Sequence, residues 1–169
     1  SGPHQSWFAL GLFYALGSSR LFAGTVCDTC CEEAWNVTVG PVGSADPESV
    51  VHSDLMISWG ADLAATNVHF WALAETQKKQ RGLKIVVIDP RRTRSAKAAD
   101  LYLPIRIGTD AALALGVMHI LVRDKLANRD YIAKHTLGFD KVERDILPKF
   151  TPQKTAGITG LSVADIEKL

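Results

Sequence analysis

Residues 84–110 read KIVVIDPRRTRSAKAADLYLPIRIGTD, and the rest of the fold is predicted outward from them. The apolar, β-branched run at 84–88 is typical of a strand that is buried on both faces, and a polar loop follows it directly. In open α/β sheets, ligands bind in the crevice beyond the carboxyl ends of the strands. The stretch therefore predicts a buried parallel strand with a binding loop at its carboxyl end.

Two polar segments of this stretch are candidates for contacting a nucleotide. An acidic side chain can hold a ribose or a base edge, and arginines bind phosphate through paired hydrogen bonds. The candidate residues are Asp89, Pro90, Arg91, Arg92 and Thr93 after the strand, and Gly108, Thr109 and Asp110 before the next predicted helix. A structural interpretation is also open, in which Asp89 caps a turn, the arginines are solvated and Asp110 is only a helix N-cap.

The segments on both sides extend the predicted sheet. A strand at 54–59, an amphipathic helix at 64–81 and a strand at 83–88 follow one another with short connections, which gives parallel strands. A third strand at 101–105 is predicted near a sheet edge, because Pro104 has no N–H to donate. We therefore predict an α/β fold with a doubly wound, mostly parallel sheet and helices on both faces, like a dinucleotide-binding domain.

The loop between the first strand and its helix is a further candidate site. Free N–H groups and the helix dipole at a helix amino terminus favour a phosphate, and a glycine permits close backbone approach. The candidate residues are Trp59, Gly60, Ala61, Asp62 and Thr66. The GxGxxG fingerprint is absent, so an NAD site is not supported. The alternative interpretation is an ordinary turn between a strand and a helix.

Hydrophobic periodicity predicts which helix faces point inward. For the helix at 64–81, the inward residues are Val68, Trp71, Leu73 and Ala74, and the outward residues are Gln77, Lys78 and Lys79. For a helix at 111–123, the predicted inward residues are Leu113, Leu115, Val117, Ile120 and Leu121. The chain is accordingly divided into a helical lead-in at 1–52, an α/β core at 53–125 and a tail of short helices at 126–169.

The composition excludes several classes of partner. The chain has 169 residues, of which 47% are hydrophobic, so one domain with a real core is expected. A net charge of +1 gives no reason to expect binding to nucleic acid or to a membrane surface. No apolar run is long enough to span a bilayer. There is no initiator Met and no signal-peptide pattern, and the chain is expected to be a piece of a longer protein.

Cys27, Cys30 and Cys31 form a CxxCC cluster in a predicted short helix at 27–35. A closed zinc, iron–sulfur or copper site needs about four ligands, and no second cysteine pair is present. A redox pair would be expected in a βαβ context, which is missing around the cluster. Two interpretations remain open: a single thiolate that binds a soft metal in a cofactor, or structural cysteines.

These segments together resemble the molybdopterin oxidoreductase family, the bis(molybdopterin guanine dinucleotide) enzymes. The resemblance covers about residues 21–169, and its strongest marks are 54–66, IDPRRT at 88–93, ADLYLPI at 99–105 and GTDAAL at 108–113. It implies an α/β domain that holds one guanine dinucleotide, with 59–66 along the pyrophosphate and 89–93 and 108–110 around the guanosine. Asp62 departs from the family, which commonly has Asn there.

The resemblance also implies a metal ligand and a larger enzyme. Cys27 falls where family members place the protein ligand to molybdenum or tungsten, and this makes it the candidate catalytic and metal-binding residue. The implied reaction is oxygen-atom transfer or dehydrogenation. A 4Fe-4S cluster and the second dinucleotide site would lie in remaining domains of the same chain, with an electron-transfer subunit as a further partner. These 169 residues alone are expected to be inactive. The alternative function is a freestanding nucleotide- or phosphate-binding module without redox activity.

Overall fold

The computed structural model describes residues 11–17, 29–41 and 45–169. The chain divides into two compact units, Ser1–Ala45 and Asp46–Leu169, and each is described by itself. None of the described helices is long and apolar enough to cross a membrane.

Most of the described residues of the first unit are helical. Residues 11–15 are helical, and helix α1 spans Thr29–Val39 with no buried residue. This helix runs four residues beyond the predicted end, to the point where Gly40 adopts a φ of 81°. Much of the helical lead-in predicted at 1–52 lies outside the described residues, and so does Cys27.

The second unit is built on three parallel strands. Strand β1 spans Leu55–Trp59, β2 spans Lys84–Ile88 and β3 spans Leu101–Leu103, in the spatial order β1-β2-β3. Trp59 pairs with Ile88, and Ile88 pairs with Leu103, so all three strands end at one edge of the sheet. The three predicted strands and their parallel direction are confirmed, and β3 lies at an edge of the sheet. It is two residues shorter than predicted, because it ends at Leu103, just before Pro104.

Eight helices of different lengths connect and follow the strands in the described part of this unit. They are α2 (Leu63–Thr66), α3 (Val68–Arg81), α4 (Arg94–Ala98), α5 (Asp110–Arg123), α6 (Arg129–His135), α7 (Phe139–Lys141), α8 (Pro152–Thr159) and α9 (Val163–Lys168). Two 3₁₀ segments, Pro47–His52 and Leu147–Lys149, and a π turn at Val142–Ile146 complete the unit.

The core occupies both faces of the sheet. Ile85 and Val87 point to one face and pack in a cluster with Trp71 and Ala74 of α3. On the other face, the second cluster contains Val86, Ile88, Leu103, Leu113, Ile120, Leu161 and Ile166. Helices therefore cover both faces, as predicted. The described strands follow one another in sequence order, so the strand reversal of a doubly wound sheet remains a prediction.

Two predicted helix faces need correction. The helix predicted at 64–81 is interrupted at Asn67, whose Oδ1 accepts a hydrogen bond from Phe70 N at 3.4 Å and begins α3. Val68 therefore lies in the first turn of α3 and is 57% exposed, whereas Gln77 is buried because it follows Ala74 by one turn on the inward side. On α5, Leu121 is also exposed rather than inward.

Helices α5 and α8 approach each other closely at Gly116. A Cβ placed on this residue would lie 2.6 Å from Oγ1 of the fully buried Thr155. The missing side chain lets the backbone of α5 approach α8 closely, and both helices contribute to the second core cluster.

Candidate functional site

The three segments that were predicted to bind a nucleotide meet at the carboxyl edge of the sheet. They are 59–66 after β1, 89–93 after β2 and 108–110 before α5. Trp59 Nε1 donates a hydrogen bond to Asp110 Oδ1 at 2.7 Å and connects the first segment to the third. Asp62 accepts hydrogen bonds from Ser95 in α4, which follows the second segment. We call this surface the carboxyl edge.

The first segment is a tight turn with its own internal bonds. Gly60 adopts a φ of 64°, and its N–H donates to Ile88 O at 2.8 Å. Open space surrounds the position that its Cβ would take. Most N–H groups at the start of α2 are used within the protein, because Ala64 donates to Ser95 Oγ and both Ala65 and Thr66 donate to Asp62 O. The sequence-based expectation that they are free is therefore wrong.

In the second segment, Asp89 and Thr93 have structural roles. Asp89 is only 9% exposed, and its Oδ1 accepts a hydrogen bond from Arg91 N at 2.7 Å. Thr93 caps α4, since its Oγ1 accepts from Ala96 N at 3.2 Å. Both side chains hold the loop in shape and keep the arginine backbone at the carboxyl edge.

Three arginines, two in this segment and one at the start of α4, are the main unpaired charges of the carboxyl edge. Arg91, Arg92 and Arg94 are exposed, and within the described residues no hydrogen bond or ion pair involves their guanidinium groups. All other described arginines bind protein oxygens: Arg81, Arg106, Arg123, Arg129 and Arg144. Three adjacent cations without protein partners can therefore bind an anion from outside.

The third segment ends in an exposed carboxylate. Gly108 has a φ of 77° with open space around its Cβ position, and Thr109 Oγ1 donates to Arg106 O at 2.6 Å. The N-cap of α5 is Thr109, and Asp110 is the first helical residue. The prediction that Asp110 caps the helix is therefore wrong. One oxygen of its carboxylate accepts a hydrogen bond from the Trp59 indole, and the other accepts none from the described residues.

Comparison with known proteins identifies the family. The sequence profile of the molybdopterin oxidoreductase family matches residues 4–164. This chain belongs to the molybdopterin oxidoreductase family. It is 39% identical to a probable oxidoreductase, YoaE, of Bacillus subtilis over 93% of this chain and 23% of that protein. It is 32% identical to the assimilatory nitrate reductase catalytic subunit of the same bacterium over 98% of this chain and 24% of that protein.

A solved structure gives the same assignment. Acetylene hydratase from Pelobacter acetylenicus superimposes with a TM-score of 0.63 at 31% sequence identity, over 72% of this chain and 18% of that one. The mixed α/β fold with a small parallel sheet is thus shared with a family member. The chain spans about a quarter or less of the length of these relatives.

The residues of the carboxyl edge fit one end of the cofactor that the family name implies. That cofactor is a pterin which carries molybdenum or tungsten. Its phosphate is anionic, and the partner-free Arg91, Arg92 and Arg94 supply positive charge. Gly60 and Gly108 leave space beside the backbone for a bulky group.

The described residues do not form a metal centre by themselves. Within 11–17, 29–41 and 45–169, no group of three or more His, Cys, Asp or Glu side chains could hold a metal ion. Cys30 and Cys31 are free thiols exposed on α1, and the predicted ligand Cys27 lies outside the described residues. Sequence reasoning missed Ser95, whose only signal is a hydroxyl two residues after the N-cap Thr93.

Proposed function

We propose that this chain is the cofactor-binding part of a molybdenum or tungsten oxidoreductase that carries out oxygen-atom transfer or dehydrogenation. Its carboxyl edge binds the guanine dinucleotide end of a bis(molybdopterin guanine dinucleotide) cofactor. The remaining domains of the same chain hold a 4Fe-4S cluster and the second dinucleotide, and an electron-transfer subunit exchanges electrons with them. The family assignment supports this function over a freestanding nucleotide-binding module.

One observation carries the proposal: the three arginines without protein partners lie at the sheet edge where three loops meet. Phosphate and guanine need different partners, and the carboxyl edge offers both. Arginines suit the diphosphate, and an exposed carboxylate such as Asp110 can accept hydrogen bonds from the N–H groups of a guanine edge. Trp59 and Thr66 lie in the first segment, where they would contact the pyrophosphate.

The test uses the full-length protein with Asp110→Ala. Removing a carboxylate that accepts bonds from guanine is expected to lower the guanine nucleotide retained after purification by about tenfold or more. Asp130→Ala is the matched control, because Asp130 is exposed at the start of α6 and has no described partner. Equal guanine content in the two variants would contradict the proposed site.

Cys27 is proposed as the protein ligand to the metal. The support is its place 33 residues before Gly60, which is similar to that of the ligand in the family. Cys27→Ala in the full-length enzyme is expected to abolish turnover and to remove one sulfur from the metal X-ray absorption spectrum, with pterin retained. Cys30→Ala and Cys31→Ala are the matched controls, and loss of the sulfur signal in either would transfer the assignment to that residue.

A further inference from the structure

A buried serine joins two segments of the carboxyl edge. Ser95 is 0% exposed, and its hydroxyl donates a hydrogen bond to Asp62 Oδ1 at 2.8 Å. The same hydroxyl accepts from Ala64 N at 2.9 Å, and Ser95 N donates to the same Asp62 oxygen at 3.1 Å. Ser95 and Asp62 are 33 positions apart in the sequence. The hydroxyl thus uses both its donor and an acceptor capacity to bind the turn after β1 to the start of α4.

These bonds also explain where the Asp62 side chain points. Asp62 is the N-cap residue of α2, yet its carboxylate makes no capping bond to that helix. It points instead to Ser95, whose side-chain and backbone hydrogen bonds are the leading causes that lower the pKa of Asp62. The carboxylate therefore stays ionised, and part of its charge is neutralised by donors of the protein.

We propose that Ser95 is a positioning residue, which holds the 59–66 segment through Asp62 in the conformation that binds the dinucleotide; this inference rests on the proposed function. A ligand that touches the segments after both β1 and β2 loses affinity when the two can move apart, because ordering them then costs free energy at binding. Nothing in this role requires Asp62 to contact the ligand. Its negative charge beside a diphosphate is tolerated because Ser95 and the nearby Arg91 compensate it.

The variants separate hydrogen bonding from charge. Ser95→Ala removes the hydroxyl that binds Asp62 and Ala64 but keeps the backbone N–H bond. Asp62→Ala removes the acceptor altogether. Asp62→Asn keeps an oxygen that accepts from Ser95 and removes the charge. Thr155→Val is the control for loss of a buried hydroxyl, because Thr155 is fully buried between α5 and α8, where its Oγ1 donates to Phe150 O.

The measurement is calorimetric binding of guanosine diphosphate to the cofactor-free, full-length protein. Ser95→Ala and Asp62→Ala are each expected to raise the Kd about tenfold, and the double variant is expected to be no weaker than either one, since both break the same link. Asp62→Asn is expected to bind as tightly as the wild type or more tightly. Thr155→Val is expected to leave the Kd unchanged.

Three outcomes would overturn the inference. Asp62→Asn as weak as Asp62→Ala would mean that the carboxylate itself contacts the ligand. Additive losses in the double variant would mean that Ser95 and Asp62 act separately. An unchanged Kd in Ser95→Ala would mean that Ser95 does not position the 59–66 segment for binding.

A second measurement separates this inference from the proposed function. If the wild type itself did not bind guanosine diphosphate, the proposed function would be contradicted. The rate of hydrogen exchange at Ala64 N–H then tests, without any ligand, whether the Ser95 hydroxyl holds the 59–66 segment. The Ser95→Ala exchange is expected to be about tenfold faster than in the wild type, because the amide loses its acceptor. Equal exchange would show that Ser95 does not hold the segment.

Discussion

The charged side chains at the two ends of the strands differ in their pairing. At the amino edge, where the strands begin, Lys78 Nζ lies 3.1 Å from Asp100 Oδ2, and Arg81 lies 3.6 Å from Asp54. At the carboxyl edge, the guanidinium groups of Arg91, Arg92 and Arg94 make no hydrogen bond or ion pair with the described residues. The contrast supports the proposed binding of an anionic ligand at the carboxyl edge, because several arginines lie together there at the ends of the strands.

At the amino edge, the charged side chains also form hydrogen bonds with the backbone. Asp100 Oδ2 accepts from Ile85 N at 2.9 Å, and Lys78 Nζ donates to Ala98 O at 2.8 Å. No polar side-chain atom that is buried among the described residues lacks a partner. These bonds connect α3 and the segment before β3 to the start of β2, and so hold the amino ends of β2 and β3 in place.

The largest expected effect is the loss of nucleotide binding when two arginines at the carboxyl edge are replaced. Arg91→Gln combined with Arg92→Gln in the cofactor-free, full-length protein is expected to weaken guanosine diphosphate binding about a hundredfold, or roughly tenfold for each charged hydrogen-bonding group. The wild-type affinity is also expected to fall as salt rises, and the double variant is expected to lose most of this dependence. Calorimetric titrations at two salt concentrations measure both effects.

The control for the arginine variant is Lys79→Gln on α3. Lys79 is exposed and has no described partner, like the arginines, but it lies in the last part of the helix that leads to the amino edge. Its replacement is expected to leave the affinity unchanged. Equal weakening by Lys79→Gln would mean that net charge, and not the carboxyl edge, attracts the nucleotide.

The second prediction concerns the amino edge. Asp100→Ala leaves the N–H of the fully buried Ile85 without its side-chain acceptor and removes the partner of Lys78, which is expected to cost about 1–3 kcal/mol. Faster hydrogen exchange at Ile85 is the measurement. Asp100→Asn keeps an oxygen acceptor and is expected to be milder. Weaker guanosine diphosphate binding without faster exchange would contradict the structural role assigned to this edge.

The parts of the fold that were predicted correctly depend on local features of the sequence. The apolar pattern of β2 identified a buried strand, and Pro104 identified β3 as an edge strand, because both features lie in the element itself or directly beside it in the sequence. Val68 was misplaced because the break at Asn67, which a smooth periodicity conceals, puts it in the exposed first turn of α3. Gln77 was misplaced because its polar side chain suggested an outward position, although it follows the buried Ala74 by one turn.

The site was predictable as a set of segments and not as a set of contacts. The rule about strand ends located all three loops from the sequence alone. The partners of Asp62 and Asp110 could not be predicted, since Ser95 lies 33 and Trp59 lies 51 positions away in the chain. Such bonds depend on the packing of α4 and α5, for which no local pattern exists.

A third, smaller effect is the acid sensitivity of the amino edge. Burial raises the pKa of Asp100, but its bonds to Ile85 and Lys78 outweigh burial and hold the pKa below the ordinary 3.8. Since the pKa is depressed in the folded state, the stabilisation is present above about pH 4 and is lost as the pH falls through the folded value. The difference in urea midpoint between the wild type and Asp100→Asn is expected to shrink below pH 4. A constant difference would contradict this.

The smallest expected effect tests the hydrogen bond that orients the Asp110 carboxylate at the carboxyl edge. Trp59 Nε1 binds Asp110 Oδ1 at 2.7 Å, and both residues are exposed. A carboxylate can accept several hydrogen bonds, so the second oxygen of Asp110 remains available to guanine while the indole holds the first. Trp59 therefore orients Asp110 and does not compete with the ligand.

Trp59→Phe keeps an aromatic ring and removes only the N–H donor. The expected result is roughly threefold weaker binding of guanosine diphosphate, since a single exposed hydrogen bond contributes about 0.5–1 kcal/mol. In an Asp110→Ala background the same change is expected to have no effect, because the oriented group is gone. Tighter binding by Trp59→Phe would mean that the indole occupies the place of the ligand on Asp110. Asp110 would then be paired within the protein, as Asp100 is at the amino edge, and would accept guanine only after the nucleotide displaced Trp59.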